Sequence, residues 1–288
     1  MAKPRSVSRL ESSRQMREGG GFLVRRPIGD TIRNCDPFLM LDHLGPVTYG
    51  PGEAVGAPDH PHRGFETVSY IINGETKHQD SAGNSGVLKD GWVQWMTAGS
   101  GVVHSEMPTD KFLKKGGPVE GFQLWVNLPA KDKMIKPRYQ DTPAEKIPVV
   151  KSPDGKTTVK NRDQEFNQEV PDNYNGFAYV WRGAGKLGDT ETQAIMGQVA
   201  LLGPGTSFKI KANSNKDIHV LLIAGVPLKE PVAHRGPFVM NTWEEIEEAF
   251  SDYYTGKLGA IKGSEERYAK TNAAVAKQKA TGSWDKKS

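Results

Sequence analysis

The chain has 288 residues, with 38 Lys or Arg against 34 Asp or Glu for a net charge of +4, and it carries 32 Gly, 19 Pro and one Cys. This length supports two ordinary domains or one large β domain around a substantial core, and the composition excludes a fibre or a disordered chain. Between Gly263 and Ser288 there are six Lys or Arg against three Asp or Glu. The remaining body is near neutral, which excludes a groove built to grip phosphates and leaves no direct nucleic-acid contact to expect.

The polar start, residues 1–20, reads as a flexible extension without the apolar run of a signal peptide or the ~20 residues of a membrane helix. From there "FLVRRPIG" and "PFLMLDHLGP" read as short strands broken by Pro and Gly, with Cys35 between them as a small buried hydrophobe. A single Cys permits no intramolecular disulfide, which points to a reducing compartment and hence to an intracellular location, cytoplasmic or nuclear. "GFETVSYIING", "VQWMTAG" and "GFQLWVNLP" add β-branched and aromatic residues, each segment closed by a turn residue. "ETVSYIINGETKHQD" predicts a hairpin turning at Asn73-Gly74. Trp92, Trp95 and Trp125 read as core.

The Pro- and Lys-rich stretch beginning "PAKDKMIKP" predicts a connection. A second strand-rich block from about Gly176 to Pro227 repeats the grammar of the first. "NTWEEIEEAFSDYYTGKLG" predicts a helix with Thr242 as N-cap, Glu245 as its capping-box partner, Ile246, Phe250 and Tyr253 on one face, and Gly256 at its end. Residues 263–288 read as a basic, solvated tail, mobile or a frayed helix. The expected architecture is all-β, with two tandem β modules and a few short C-terminal helices.

Chemistry concentrates in two short pairs. "HPH" places His60 and His62 two residues apart, and "HSE" places His104 and Glu106 likewise, 42 residues beyond His62. In a strand, residues two apart share a face, so each pair can send two side chains to one point. Three imidazoles and a carboxylate suit a first-row divalent ion and leave positions open for water, dioxygen or substrate. The bland alternative is two unrelated polar pairs. His43 and His78 stand alone and read as hydrogen-bonded structural residues.

The run "APDHPHRGFETVSYIINGETKHQDSAGNSGVLKDGWVQWMTAGSGVVHSEMP" resembles the signature of the pirins, members of the cupin superfamily of small β-barrels, and "RGPFVMNTWEEIEEAFSDYYTGKLG" is pirin-like more loosely. The resemblance implies two cupin-type jelly-roll barrels. A metal-binding domain would occupy residues 21–140, and a linker with a metal-free second barrel, including His219 and His234, residues 141–262. It implies Fe(II), or another first-row divalent metal, held by His60, His62, His104 and Glu106, with Glu66 either supporting a ligand or structural.

The family's activities imply two functions. One is a quercetin 2,3-dioxygenase-type oxygenase acting on a planar hydroxylated molecule such as a flavonol together with O2, Glu106 being the residue that could act as a base. The other is a nuclear, non-enzymatic co-regulator that binds a transcription factor according to the oxidation state of its iron.

Overall fold

The computed structural model describes residues 3–18, 20–148, 165–213 and 217–285. The chain runs through β1 (Val7–Ser12), β2 (Gln15–Glu18), β3 (Phe22–Ile28), β4 (Phe38–Tyr49), β5 (Ala57–His62), β6 (Phe65–Asn73), β7 (Thr76–Asp80), β8 (Ser85–Leu88), β9 (Val93–Thr97), β10 (Val102–Pro108), α1 (Asp110–Lys115), β11 (Gly117–Asn127) and β12 (Arg138–Thr142). It continues through β13 (Glu165–Glu169), β14 (Asn175–Leu187), β15 (Thr192–Ile195), β16 (Gln198–Leu202), β17 (Ser207–Ala212), β18 (Ile218–Gly225), β19 (Ala233–Arg235), β20 (Phe238–Met240), α2 (Trp243–Tyr254) and α3 (Ser264–Thr281). The later part of the expected connection, residues 149–164, lies outside the described residues.

The strands form two compact units. Barrel 1 comprises Gln15–Val24, Leu41–Lys146 and Lys229–Ser288, and barrel 2 comprises Met1–Arg14, Arg25–Met40 and Ile147–Leu228. Each unit is assembled from three separate stretches of the chain.

Barrel 1 contains a four-stranded sheet, β5-β10-β7-β8, and most of a larger sheet ordered β12-β9-β6-β11-β4-β3-β2. Alternation decides which residues face inward: along β6, Phe65, Thr67 and Ser69 are buried while Glu66, Val68 and Tyr70 are half-buried. The hairpin expected at Asn73-Gly74 does not form, because β6 pairs with β9 and β11 whereas β7 pairs with β8 and β10. That step instead carries the chain from one sheet to the other, with Gly74 at φ 118. Turn residues and alternation are local signals; the pairing partner is chosen by which faces must be buried together.

Barrel 2 is organised around the 13-residue β14, which pairs with β15, β16, β17 and β18. Its interior is apolar, with Val170, Ala178, Val180, Leu187, Ala200, Phe208 and Ile218 among the buried residues. The amino terminus, expected to be a flexible extension, is the edge strand of this unit: β1 pairs antiparallel with β16, Leu10 opposite Ala200. Arg5 is buried there, donating to the carbonyls of Pro171, Tyr174 and Gly203. A half-exposed edge strand is held mainly by its backbone ladder, so its side chains give little pattern to read.

The helix α2 has the predicted start. Thr242 Oγ1 accepts from Glu245 N at 3.2 Å, and Glu245 Oε2 accepts from Thr242 N at 3.0 Å. Ile246 and Ala249 are buried against Phe238, with Phe250 and Tyr253 beside them, and Gly256 follows the helix at φ 80. Thr242→Ala should lower stability by about 1 kcal/mol in urea unfolding without changing the far-UV spectrum of the folded protein.

The expected tail is corrected too, for residues 264–281 form the 18-residue α3. Arg267, Thr271, Ala274 and Gln278 bury one stripe at helical spacing, while Lys277 and Lys279 are exposed and Lys270 is half-buried. No described helix is long and apolar enough to cross a membrane.

Candidate metal centre

Strands β5 and β10 lie antiparallel with His60 opposite His104 and His62 opposite Val102. Directly opposed residues project to the same side of a sheet, and so do residues two apart on one strand. The three imidazoles therefore meet on one inner face, His60 to His104 at 4.3 Å between ring centroids and His62 at 4.9 Å from each. One ring nitrogen from each residue lies within 4.8 Å of the other two. Among the described residues this is the only such group of three or more His, Cys, Asp or Glu.

His62 and His104 are buried and His60 is half-buried. The Nδ1 of His60 lies 2.7 Å from the Pro58 carbonyl, and that of His62 lies 3.4 Å from the Pro237 carbonyl. A carbonyl at Nδ1 selects the tautomer with its proton there and leaves the Nε2 lone pair free. His104 differs: both its ring nitrogens are buried without a hydrogen-bond partner in the protein. Buried polar atoms are rarely left in that state, and an ion at the triad would engage one of the two.

Burial, followed by the neighbouring His60 ring, holds His62 well below the usual imidazole value, outweighing the opposing effect of Pro237. Burial also dominates at His104, reinforced by His60, His62 and His78. Both rings are thus neutral at physiological pH, the form that ligates a divalent ion.

Glu106 shares the inner face of β10, but it lies outside the triad's 4.8 Å group. Its two carboxylate oxygens accept from Gln123 Nε2 at 3.3 and 3.1 Å, and the β5–β10 register shifts between His104 and Glu106. Three of the four expected ligands are thus gathered, and the fourth is held by Gln123. Glu66 is elsewhere: Thr97 Oγ1 donates to its carboxylate at 2.6 Å, in keeping with a structural role.

The lone histidines also have partners. His43 Nε2 lies 3.4 Å from Glu120, and His78 Nε2 lies 3.3 Å from Asp141 with its ring stacked on Tyr139. His219 packs on Trp181. His234 does not belong to barrel 2 but to barrel 1, on β19, with its ring 6.0 Å from Trp125. Of the tryptophans read as core, Trp95 is 43% exposed. Trp125 instead packs edge-on against His62 at 5.1 Å and lies 4.2 Å from Phe65. Its Nε1 is buried without a partner.

Gln123, Trp125 and Pro237 carry no sequence signal of their own, although the alternation of "GFQLWVN" puts Gln123 and Trp125 on one face. Pro237 could be found only from the fold, because it approaches His62 from 175 residues away.

The Pirin family model matches residues 21–126 and that of the Pirin C-terminal cupin domain matches residues 158–259. A pirin-like protein of Solanum lycopersicum is 39% identical over 295 residues, covering 93% of this chain and 98% of its own. Pirin of Homo sapiens is 38% identical over 288 residues, covering 90% and 96%. Among solved structures, a quercetin 2,3-dioxygenase from Acinetobacter baumannii superposes with a TM-score of 0.79 at 34% identity, covering 89% of this chain and 99% of its own. The barrels, the triad in the first of them and these full-length similarities place the chain in the pirin family of cupin proteins.

Proposed function

We propose that this protein is a metal-dependent dioxygenase of the quercetin 2,3-dioxygenase type, using iron(II) held by His60, His62 and His104 with Glu106 as a fourth ligand. The observation that carries this reading is His104, whose two buried nitrogens have no partner in the protein and whose ring converges with two others. The similarity to the Acinetobacter baumannii enzyme supports the substrate class, a planar hydroxylated molecule such as a flavonol, with O2 as co-substrate.

The chain's own residues supply the setting. Iron(II) bound at the triad would supply Lewis acidity toward the flavonol hydroxyl oxygen and redox chemistry with dioxygen. The imidazoles offer neutral nitrogen ligands. Phe65 and Trp125 back His62 with an apolar wall that keeps water from that side. The Glu106 carboxylate, steadied by Gln123, can accept the flavonol hydroxyl proton at one Oε atom. Trp125 Nε1–H is a buried donor beside His62, available to a substrate oxygen.

Anaerobic loading with Fe(II), followed by metal analysis and quercetin turnover under oxygen, tests the proposal. The expected result is stoichiometric iron with ring cleavage and carbon monoxide release. Iron without turnover would reject quercetin as substrate and favour the redox-responsive regulator bound to a transcription factor. Trp125→Phe should raise KM for quercetin about five-fold at unchanged metal content, since one hydrogen bond is worth about 1 kcal/mol. An unchanged KM in steady-state kinetics would remove the donor role.

A further inference from the structure

The hairpin of β19 and β20 lies within the segment matched by the C-terminal cupin model, yet it is part of barrel 1 and reaches the metal-ligand strand. Its turn presents the Pro237 carbonyl to His62 Nδ1 at 3.4 Å. A contact that long orients a ring only as well as its acceptor is held in place. The hairpin's position is therefore part of the metal site.

Three features hold it. Val239 N donates to Arg63 O at 3.1 Å, and Arg63 and Phe238 form a parallel bridge, so β20 attaches directly to the residue after His62. Gly64 sits at φ 87, and a Cβ there would lie 1.9 Å from the Val239 carbonyl oxygen, an approach open to glycine alone. The third is Lys133, almost fully buried, whose ammonium donates to Gly64 O at 2.7 Å, Asn127 Oδ1 at 2.6 Å and Val239 O at 3.0 Å. Its three donors match three acceptors, two of them main-chain carbonyls on the segments that must stay together.

We propose that Lys133 is a positioning residue for the metal centre, clamping the β19–β20 hairpin to Gly64 so that the Pro237 carbonyl orients His62. Metal affinity is then set partly by a residue that touches neither metal nor ligand side chain. Lys133 is suited to this because a buried ammonium must keep its acceptors close: burial lowers it to about 8, against the opposing influence of Glu230 and Glu245. An apolar side chain of similar length would fill the volume but leave the two carbonyls and Asn127 Oδ1 buried without a donor. Its replacement therefore lowers stability as well as metal affinity, and the spectrum of the bound metal separates a displaced ligand from a merely less stable fold.

The inference rests on the triad binding metal, and the test separates the two. The full-length metal-free protein is titrated with Co(II) against a competing chelator, and the ligand-field spectrum is recorded, for wild type and Lys133→Met. The expected result is about a ten- to hundred-fold weaker Kd and a shifted spectrum, the range seen when partners of ligating histidines are removed, with the metal-free protein still folded at the titration temperature but melting lower, because three buried acceptors lose their donor. Equal Kd and identical spectra would overturn the clamp while leaving the metal site intact. Failure of wild type to bind Co(II) would overturn both. Should Lys133→Met not fold, Lys133→Gln decides by the same readouts: its amide cannot satisfy three acceptors, so weaker binding supports the clamp and unchanged binding rejects it.

Discussion

His104→Ala is expected to lose metal binding, and with it the proposed quercetin turnover, while the protein remains folded. His104 is the member of the triad with neither ring nitrogen engaged by the protein, so an ion at the triad would be the first partner of its coordinating nitrogen. Removing partners of ligating histidines already costs ten- to hundred-fold in affinity, so deleting a ligand should weaken binding by more than about a hundred-fold. For stability two terms oppose. The substitution leaves a cavity between β5 and β10, yet it also removes two unsatisfied buried nitrogens, each costing about 1–3 kcal/mol. The metal-free melting temperature should move little. Metal analysis after dialysis gives the answer, and full stoichiometry in the variant would disprove the site.

The second large effect lies in α3. Arg267 grips Asp59 with two parallel bonds, Nε to Oδ1 at 2.5 Å and an Nη to Oδ2 at 2.8 Å, both residues being buried. It also donates to the carbonyls of Ile261 and Lys262, and Tyr268 donates to Asp59 O at 2.7 Å. Arg267→Ala leaves the Asp59 carboxylate buried without its counter-charge, and breaking such a pair costs about 3 kcal/mol. Urea denaturation measures it. The double variant with Asp59→Ala should be less destabilised than the sum of the singles, because removing both partners leaves no uncompensated charge. A loss below about 0.5 kcal/mol, the level of an ordinary surface change, would mean that α3 does not brace the strand. Since Asp59 precedes His60, the segment that looks like a solvated tail secures the strand carrying two of the three triad histidines.

The all-β class, the histidine triad and the capped helix α2 are legible in the sequence because each depends on spacing within a short window. His60 and His62 need only an extended backbone to share a face, and Thr242 with Glu245 need only one helical turn. What the sequence conceals is pairing across distance. Nothing near Asn73-Gly74 reveals that β6 and β7 part into different sheets, and nothing near Glu106 reveals that Gln123 holds its carboxylate. The tail misleads because Lys277 and Lys279, which colour its composition, are exposed on α3. The stripe that decides its fate is polar and small, Arg267, Thr271, Ala274 and Gln278, and becomes recognisable only once Asp59 is seen opposite it.

The pairing of β1 with β16 bears on how the protein comes into being. Strand β1 has its partner 190 residues further along the chain, Leu10 against Ala200, so barrel 2 cannot close that edge until those residues have been made. Contacts of such long sequence separation form late and slow folding. Cutting the gene between the two barrels, the natural choice from the family boundaries, would strand β1 on the wrong fragment and leave β16 with open hydrogen-bonding groups, a template for aggregation. A separable second barrel would need residues 3–14 and 25–40 grafted back onto it.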